Sequence, residues 1–156
     1  YSGWLDHLRT VLPLKSVAVR EREEDRYLFL EVEYIGGFKV KSWQLSDGTL
    51  RLFALTLLAY LPDNPSIYLI EEPENGVHPQ AIEAVFQSLS SIYEGQALVA
   101  THSPVLVAQL RPEQLLCFSR SPDGSTDIVR GDRHPLLKPW QGEVKLAHLY
   151  AAGILS

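Results

Sequence analysis

The chain changes rhythm several times between hydrophobic and polar residues. Residues 1–12 place Trp4, Leu5, Leu8 and Val11 at helical spacing, and Pro13 ends that run, so a short amphipathic helix is predicted. Stretches 16–20 and 26–34 read as strands flanking the charged turn Glu21-Arg-Glu-Glu-Asp25, a solvated loop by composition. Gly36-Gly37 marks a turn and 38–43 an edge strand. Residues 46–61 are predicted as a helix, apolar nearly all round and therefore expected to be buried along most of its length. Then follow a strand at 67–71, a helix at 79–93, a strand at 97–101 and a helix at 104–110. Strand, helix, strand with these connections predicts a parallel pair with a crossover helix. Strands at 114–119 and 126–130, a Pro-rich loop and a helix over about 142–152 complete the α/β pattern, with no internal repeat.

Composition narrows the picture. At 156 residues, 46% hydrophobic and 21% charged, the chain has enough apolar material for one domain. Its apolar runs fall short of the roughly 18 residues that span a bilayer. The single cysteine, Cys117, excludes an internal disulfide, suits a reducing cytoplasm, and reads as a small hydrophobe. A net charge of −5 opposes nonspecific nucleic-acid binding by this chain alone and leaves room only for a local basic patch. No methionine occurs, so the chain is expected to be a piece of something longer.

Three stretches carry candidate chemistry. In Trp43-Gln-Leu-Ser-Asp-Gly-Thr-Leu-Arg51, Ser46 is a helix cap, Gly48 lets a ligand come close, and the helix start offers free N–H groups to an anion. Ser-Asp-Gly also serves simply to cap and turn. In Ile67-Tyr-Leu-Ile-Glu-Glu-Pro-Glu74 an apolar strand runs into carboxylates at the sheet edge where ligands of parallel sheets bind. Adjacent strand residues point to opposite faces, so Glu71 and Glu72 suit two roles, one toward a metal-bound water and one as a base. The plainer alternative is an acidic loop that keeps the strand end soluble. Asn75-Gly76 then forces a turn before His78-Pro79 opens the next helix. In Ala97-Leu-Val-Ala-Thr-His-Ser-Pro104 a second strand ends beside His102, which taken alone is more often a packed or surface residue.

Together and in this order the three are far more specific. Leu45-Ser-Asp-Gly-Thr49 resembles the signature motif of ABC-type ATPases, Ile67 to Glu74 their Walker B strand, and Ala100-Thr-His-Ser-Pro104 their switch-histidine segment. Glu-Glu-Pro-Glu-Asn-Gly-Val-His-Pro resembles the soluble AAA-type branch related to RecF, SMC and OLD proteins. The resemblance covers about residues 40 to 112 and implies a parallel-sheet P-loop NTPase head, C-terminal half, preceded by antiparallel strands. It divides the single domain into 1–44, a core at 45–112 and 113–156. It implies that Glu71 holds Mg2+ through water, Glu72 polarises the attacking water and His102 contacts the γ-phosphate of ATP. It further implies that Ser46, Asp47, Gly48 and Thr49 bind the nucleotide of a second protomer, and that Asn75, Gly76, Val77 and His78 touch that protomer. The family usually has aspartate where Glu71 stands, which implies altered metal geometry before lost function.

The phosphate-binding loop is missing. No Gly-x-x-x-x-Gly-Lys-Ser/Thr occurs, and none of Lys15, Lys39, Lys41, Lys138 and Lys145 follows a glycine. The chain is therefore expected to be half of an ATPase head, inactive alone, completed by a Walker A half upstream or on another chain. A non-hydrolysing dimerisation or regulatory module of the same fold is the runner-up. An OLD-type nuclease would need an acidic domain for which 103–156 is short. The process driven is not legible, DNA being a partner only through the complete protein, and the apolar helical face of the tail 133–150 is expected to pack on its own core before any partner.

Overall fold

A computed structural model describes residues 1–62, 66–135 and 137. The chain divides into two compact units, Tyr1–Thr101 and a second beginning at His102.

The first unit opens with helix α1 (Ser2–Arg9), shorter than the predicted 1–12 because the backbone turns at Thr10. Strands β1 (Leu14–Arg22), β2 (Tyr27–Tyr34) and β3 (Lys39–Lys41) form an antiparallel sheet in the order β1-β2-β3. Alternation decides its faces. Val17 and Val32 are paired across the strands and buried on the side that α1 covers with Leu5 and Leu8. The charged turn between β1 and β2 compensates itself, because Arg22 binds Asp25 and holds that carboxyl down at about 2. Phe38 and Trp43 fall outside the short edge strand, and residues 42–44 form a single helical turn.

Helix α2 (Asp47–Leu57) runs into one tighter turn at Leu58–Tyr60 and packs against α1 and α3 (Pro79–Ser90). Leu52, Phe53 and Thr56 are its buried positions, and Leu57 is exposed, so the expectation of burial along most of the helix is corrected: one side alone is covered. Trp4 locks α1 to it. The indole lies 5.7 Å from the Phe53 ring, nearly perpendicular, and its N–H donates to Thr56 Oγ1 at 2.9 Å. Thr56 in turn donates to the Leu52 carbonyl at 2.7 Å, so a buried hydroxyl and a buried indole satisfy each other.

Strands β4 (Ile67–Glu71) and β5 (Gln96–Ala100) form the predicted parallel pair, with α3 as their crossover. Ala81, Ala84, Val85 and Ser88 of α3 are buried, and Tyr68 and Ile70 of β4 are half-buried. The other face of β4 is open: Ile67 is 69% and Leu69 77% exposed. A continuous apolar run ordinarily marks a strand covered on both faces. A two-stranded sheet with helices on one side covers only every second residue.

In the second unit, α4 (Pro104–Val107) is a short helix, and β6 (Leu116–Arg120) pairs antiparallel with β7 (Thr126–Arg130). Their turn is held by Asp123, whose Oδ1 accepts from the N–H and hydroxyl of Ser125, with Gly124 at φ 87°. The Gly131 N–H closes the hairpin onto the Leu115 carbonyl at 2.9 Å. The helix expected over about 142–152 and most of the tail lie outside the described residues.

Candidate functional site

The carboxyl end of β4 is a strand end with an abrupt change of backbone. Glu71 is the last paired residue, opposite Ala100. The Glu72 N–H still donates to the Ala100 carbonyl at 2.8 Å, but its φ is +44°, the left-handed region that a residue with a Cβ rarely occupies. Pleat alternation was expected to separate the two carboxylates. Glu72 has in fact left the strand, and its own backbone sets its direction. Both side chains are exposed, and among the described residues neither takes part in an ion pair.

The following loop is tied down at nearly every residue. Pro73 is fully buried and Val77 is buried, so two apolar anchors fix the segment to the core. The Thr101 hydroxyl donates to Glu74 Oε1 at 2.7 Å, joining the loop to the end of β5. The Asn75 N–H donates to the Glu72 carbonyl at 2.9 Å, and its side-chain amide donates to Glu72 Oε2 at 3.1 Å. Gly76 takes φ +74°, as the predicted turn requires. His78 caps α3 with Nδ1 accepting from the Gln80 N–H at 3.3 Å, and Pro79 occupies the first turn. Val77 turns its side chain into the core, while Asn75, Gly76 and His78 stay exposed.

Helix α2 begins as predicted. Ser46 is its cap, with Oγ accepting from the Thr49 N–H at 3.2 Å and lying 3.0 Å from the Thr49 hydroxyl, and Asp47 adds negative charge to the first turn. Gly48 has a structural reason of its own. A Cβ placed there would overlap the Gly76 carbonyl oxygen, so the loop backbone occupies the room that a side chain would need. Three residues along the same helix face, Arg51 Nη1 donates to the Asn75 carbonyl at 3.1 Å. The start of α2 and the loop after β4 are therefore clasped at two successive loop carbonyls.

The structure thus brings together Ser46, Asp47, Gly48, Thr49, Glu71, Glu72, Asn75, Gly76 and Val77 on one unit. His102 opens the second unit directly after Thr101, exposed, and is followed by Ser103, whose Oγ caps α4 by accepting from the Leu106 N–H at 3.4 Å. Among the described residues no group of three His, Cys, Asp or Glu side chains could cage a metal. An exposed single carboxylate such as Glu71 fits Mg2+, which commonly keeps its waters and takes one or two carboxylates plus substrate phosphates. No described helix is long and apolar enough to cross a membrane.

Sequence reasoning missed Arg51, Thr101 and the side-chain role of Asn75. A signal for Arg51 was present in its spacing, three residues after a glycine at a helix start, which puts both on one face. The Thr101–Glu74 and Asn75–Glu72 bonds had none, because they depend on how the loop folds back.

A family model described as "AAA domain, putative AbiEii toxin, Type IV TA system" matches residues 6–108. Protein ea59 of Escherichia phage lambda is 32% identical over 84 residues, covering 52% of this chain, and the chain spans 16% of that relative's length. A solved structure described under ATP-driven dimerization and DNA-stimulated activation of SMC ATPases superposes with a TM-score of 0.61 at 19% identity, over 80% of this chain and 78% of that one. At that identity the likeness speaks for the fold alone: this chain shares the mixed α/β fold of that structure.

Proposed function

This chain belongs to that AAA domain family, and on that premise we propose that it supplies the signature, Walker B and switch-histidine half of an ATPase that dimerises around ATP. The observation that carries the reading is Glu72. Its carboxylate stands exposed at the carboxyl edge of a parallel pair, on a left-handed residue held by Asn75, in a loop that is itself clasped to the start of α2. Strain of this kind persists where the surroundings over-determine it, and it gathers at active sites.

Glu72 is the general base. It accepts a proton from the water whose oxygen bonds the γ-phosphorus of ATP as the bond from that phosphorus to the β-phosphate bridging oxygen breaks. Glu71 would hold Mg2+ through water, and the bound ion would offset charge on the phosphates. His102 contacts the γ-phosphate. Ser46, Asp47, Gly48 and Thr49 serve the nucleotide of a second protomer through the N-terminus of α2, whose remaining N–H groups favour an anion. Asn75, Gly76 and His78 are the exposed loop positions for touching that protomer, with Val77 anchoring them. The phosphate-binding loop comes from outside these 156 residues. The open face of β4, with Ile67 and Leu69 exposed, supports this, since apolar strand faces of parallel sheets are ordinarily covered.

The cytoplasm is the proposed site of action, and contact with DNA is proposed for the complete protein only. The net charge of −5 makes this chain a poor nonspecific ligand for it. A non-hydrolysing module of the same fold is favoured by two features, Glu71 in place of the family's aspartate and the absence of a phosphate-binding loop from these 156 residues. Glu72→Gln in a protein that carries both halves decides between them. The ATPase loses turnover and accumulates as an ATP-bound dimer; a module without hydrolysis is unchanged in both respects.

A further inference from the structure

Glu72 has a lever attached to it. The Asn75 side-chain amide bonds the Glu72 carboxylate while the Asn75 N–H bonds the Glu72 carbonyl, so one residue sets both the backbone turn and the carboxylate direction. The carbonyl of that same Asn75 is held by Arg51, and the next carbonyl, of Gly76, lies against Gly48. Gly48 and Arg51 share one face of α2, and Ser46 caps that helix. A shift of α2 along its axis therefore pulls on two successive loop carbonyls and, through Asn75, on the Glu72 carboxylate.

We propose that Asn75 is a positioning residue for Glu72, and that Arg51 makes it answer to α2, so that occupancy at the Ser46 end sets the aim of the base. The inference rests on the ATPase reading. In the dimer that reading describes, Ser46 meets the partner's nucleotide while Glu72 acts on its own, so the Arg51–Asn75–Glu72 chain couples the two ATP sites. Coupling of this kind is a difference in interaction between two states, and it works in both directions. The amide suits the task because it donates to a carboxylate without adding charge beside the attacking water.

The test uses the complete protein with its phosphate-binding loop, reading kcat, ATP dissociation constant, Hill coefficient and melting temperature. Asn75→Ala is expected to lower kcat by about 10- to 100-fold, the scale of a misplaced catalytic group, with ATP affinity within about twofold. Asn75→Asp keeps the shape and the turn but removes the donor, and it is expected to lose at least as much kcat while melting normally. Arg51→Ala lowers kcat and brings the Hill coefficient toward one, and Arg51→Lys restores part of both. Full kcat in Asn75→Asp, with an active wild type and an inactive Glu72→Gln, overturns the inference and leaves the ATPase reading standing. A wild type that Glu72→Gln does not change overturns both.

Discussion

Gly48 at the start of α2 and Gly76 in the loop after β4 meet backbone to backbone, with the carbonyl of one filling the space where a side chain of the other would begin. Two elements separated by a strand and a loop in sequence are thereby fixed in register. The contact accounts for a glycine in the first turn of a helix, where helix propensity favours almost any other residue.

Gly48→Ala is the first consequence. Helix propensity alone would make alanine the better residue, by roughly 0.5–1 kcal/mol. The overlap with Gly76 reverses that sign, and we expect a net loss of about 1–3 kcal/mol, the range for forcing atoms into a packed contact. Urea denaturation of the chain reads it, and an unchanged or raised midpoint would contradict the contact.

Thr56→Val should destabilise the first unit by about 1–3 kcal/mol, because the Trp4 indole N–H is left buried without its acceptor. Thr56→Ser keeps the hydroxyl and should cost less. Chemical denaturation followed by tryptophan fluorescence separates the two.

Leu69→Lys tests the open face of β4. The side chain is 77% exposed, so the isolated chain should keep its stability within about 0.5 kcal/mol. If the other half of the head covers this face, the same change removes about 1.5–3 kcal/mol of apolar burial, and association between the halves weakens about 10- to 100-fold. Unchanged affinity in a titration of one half with the other would show that this face stays open.

Cys117 reports on the second unit. Burial pushes its thiol up from the ordinary range, which disfavours the reactive thiolate. Alkylation by iodoacetamide at pH 8 should be slower in the folded chain than in urea, and equal rates would mean that the β6–β7 hairpin does not shield it.

Local chemistry made much of this readable. Ser46 and Ser103 each cap a helix as serine does, Pro79 and Pro104 open helices, and the apolar runs ending at Glu71 and Ala100 pair in parallel. The errors share a cause: they concern what lies on the far side of a residue. A run of apolar residues does not say which face is covered, and in β4 Leu69 stays open. Nothing in the sequence around Gly48 names Gly76 as the residue packed against it. Glu72 read as a strand residue, because a left-handed turn at a non-glycine position leaves no mark in composition.

The most direct measurement is ATP turnover by this chain alone and after addition of a half that carries the phosphate-binding loop. We predict no measurable turnover alone, turnover on mixing, and its loss when the chain carries Glu72→Gln. Ordinary enzymatic turnover by the isolated chain, or turnover on mixing that survives Glu72→Gln, would contradict the account.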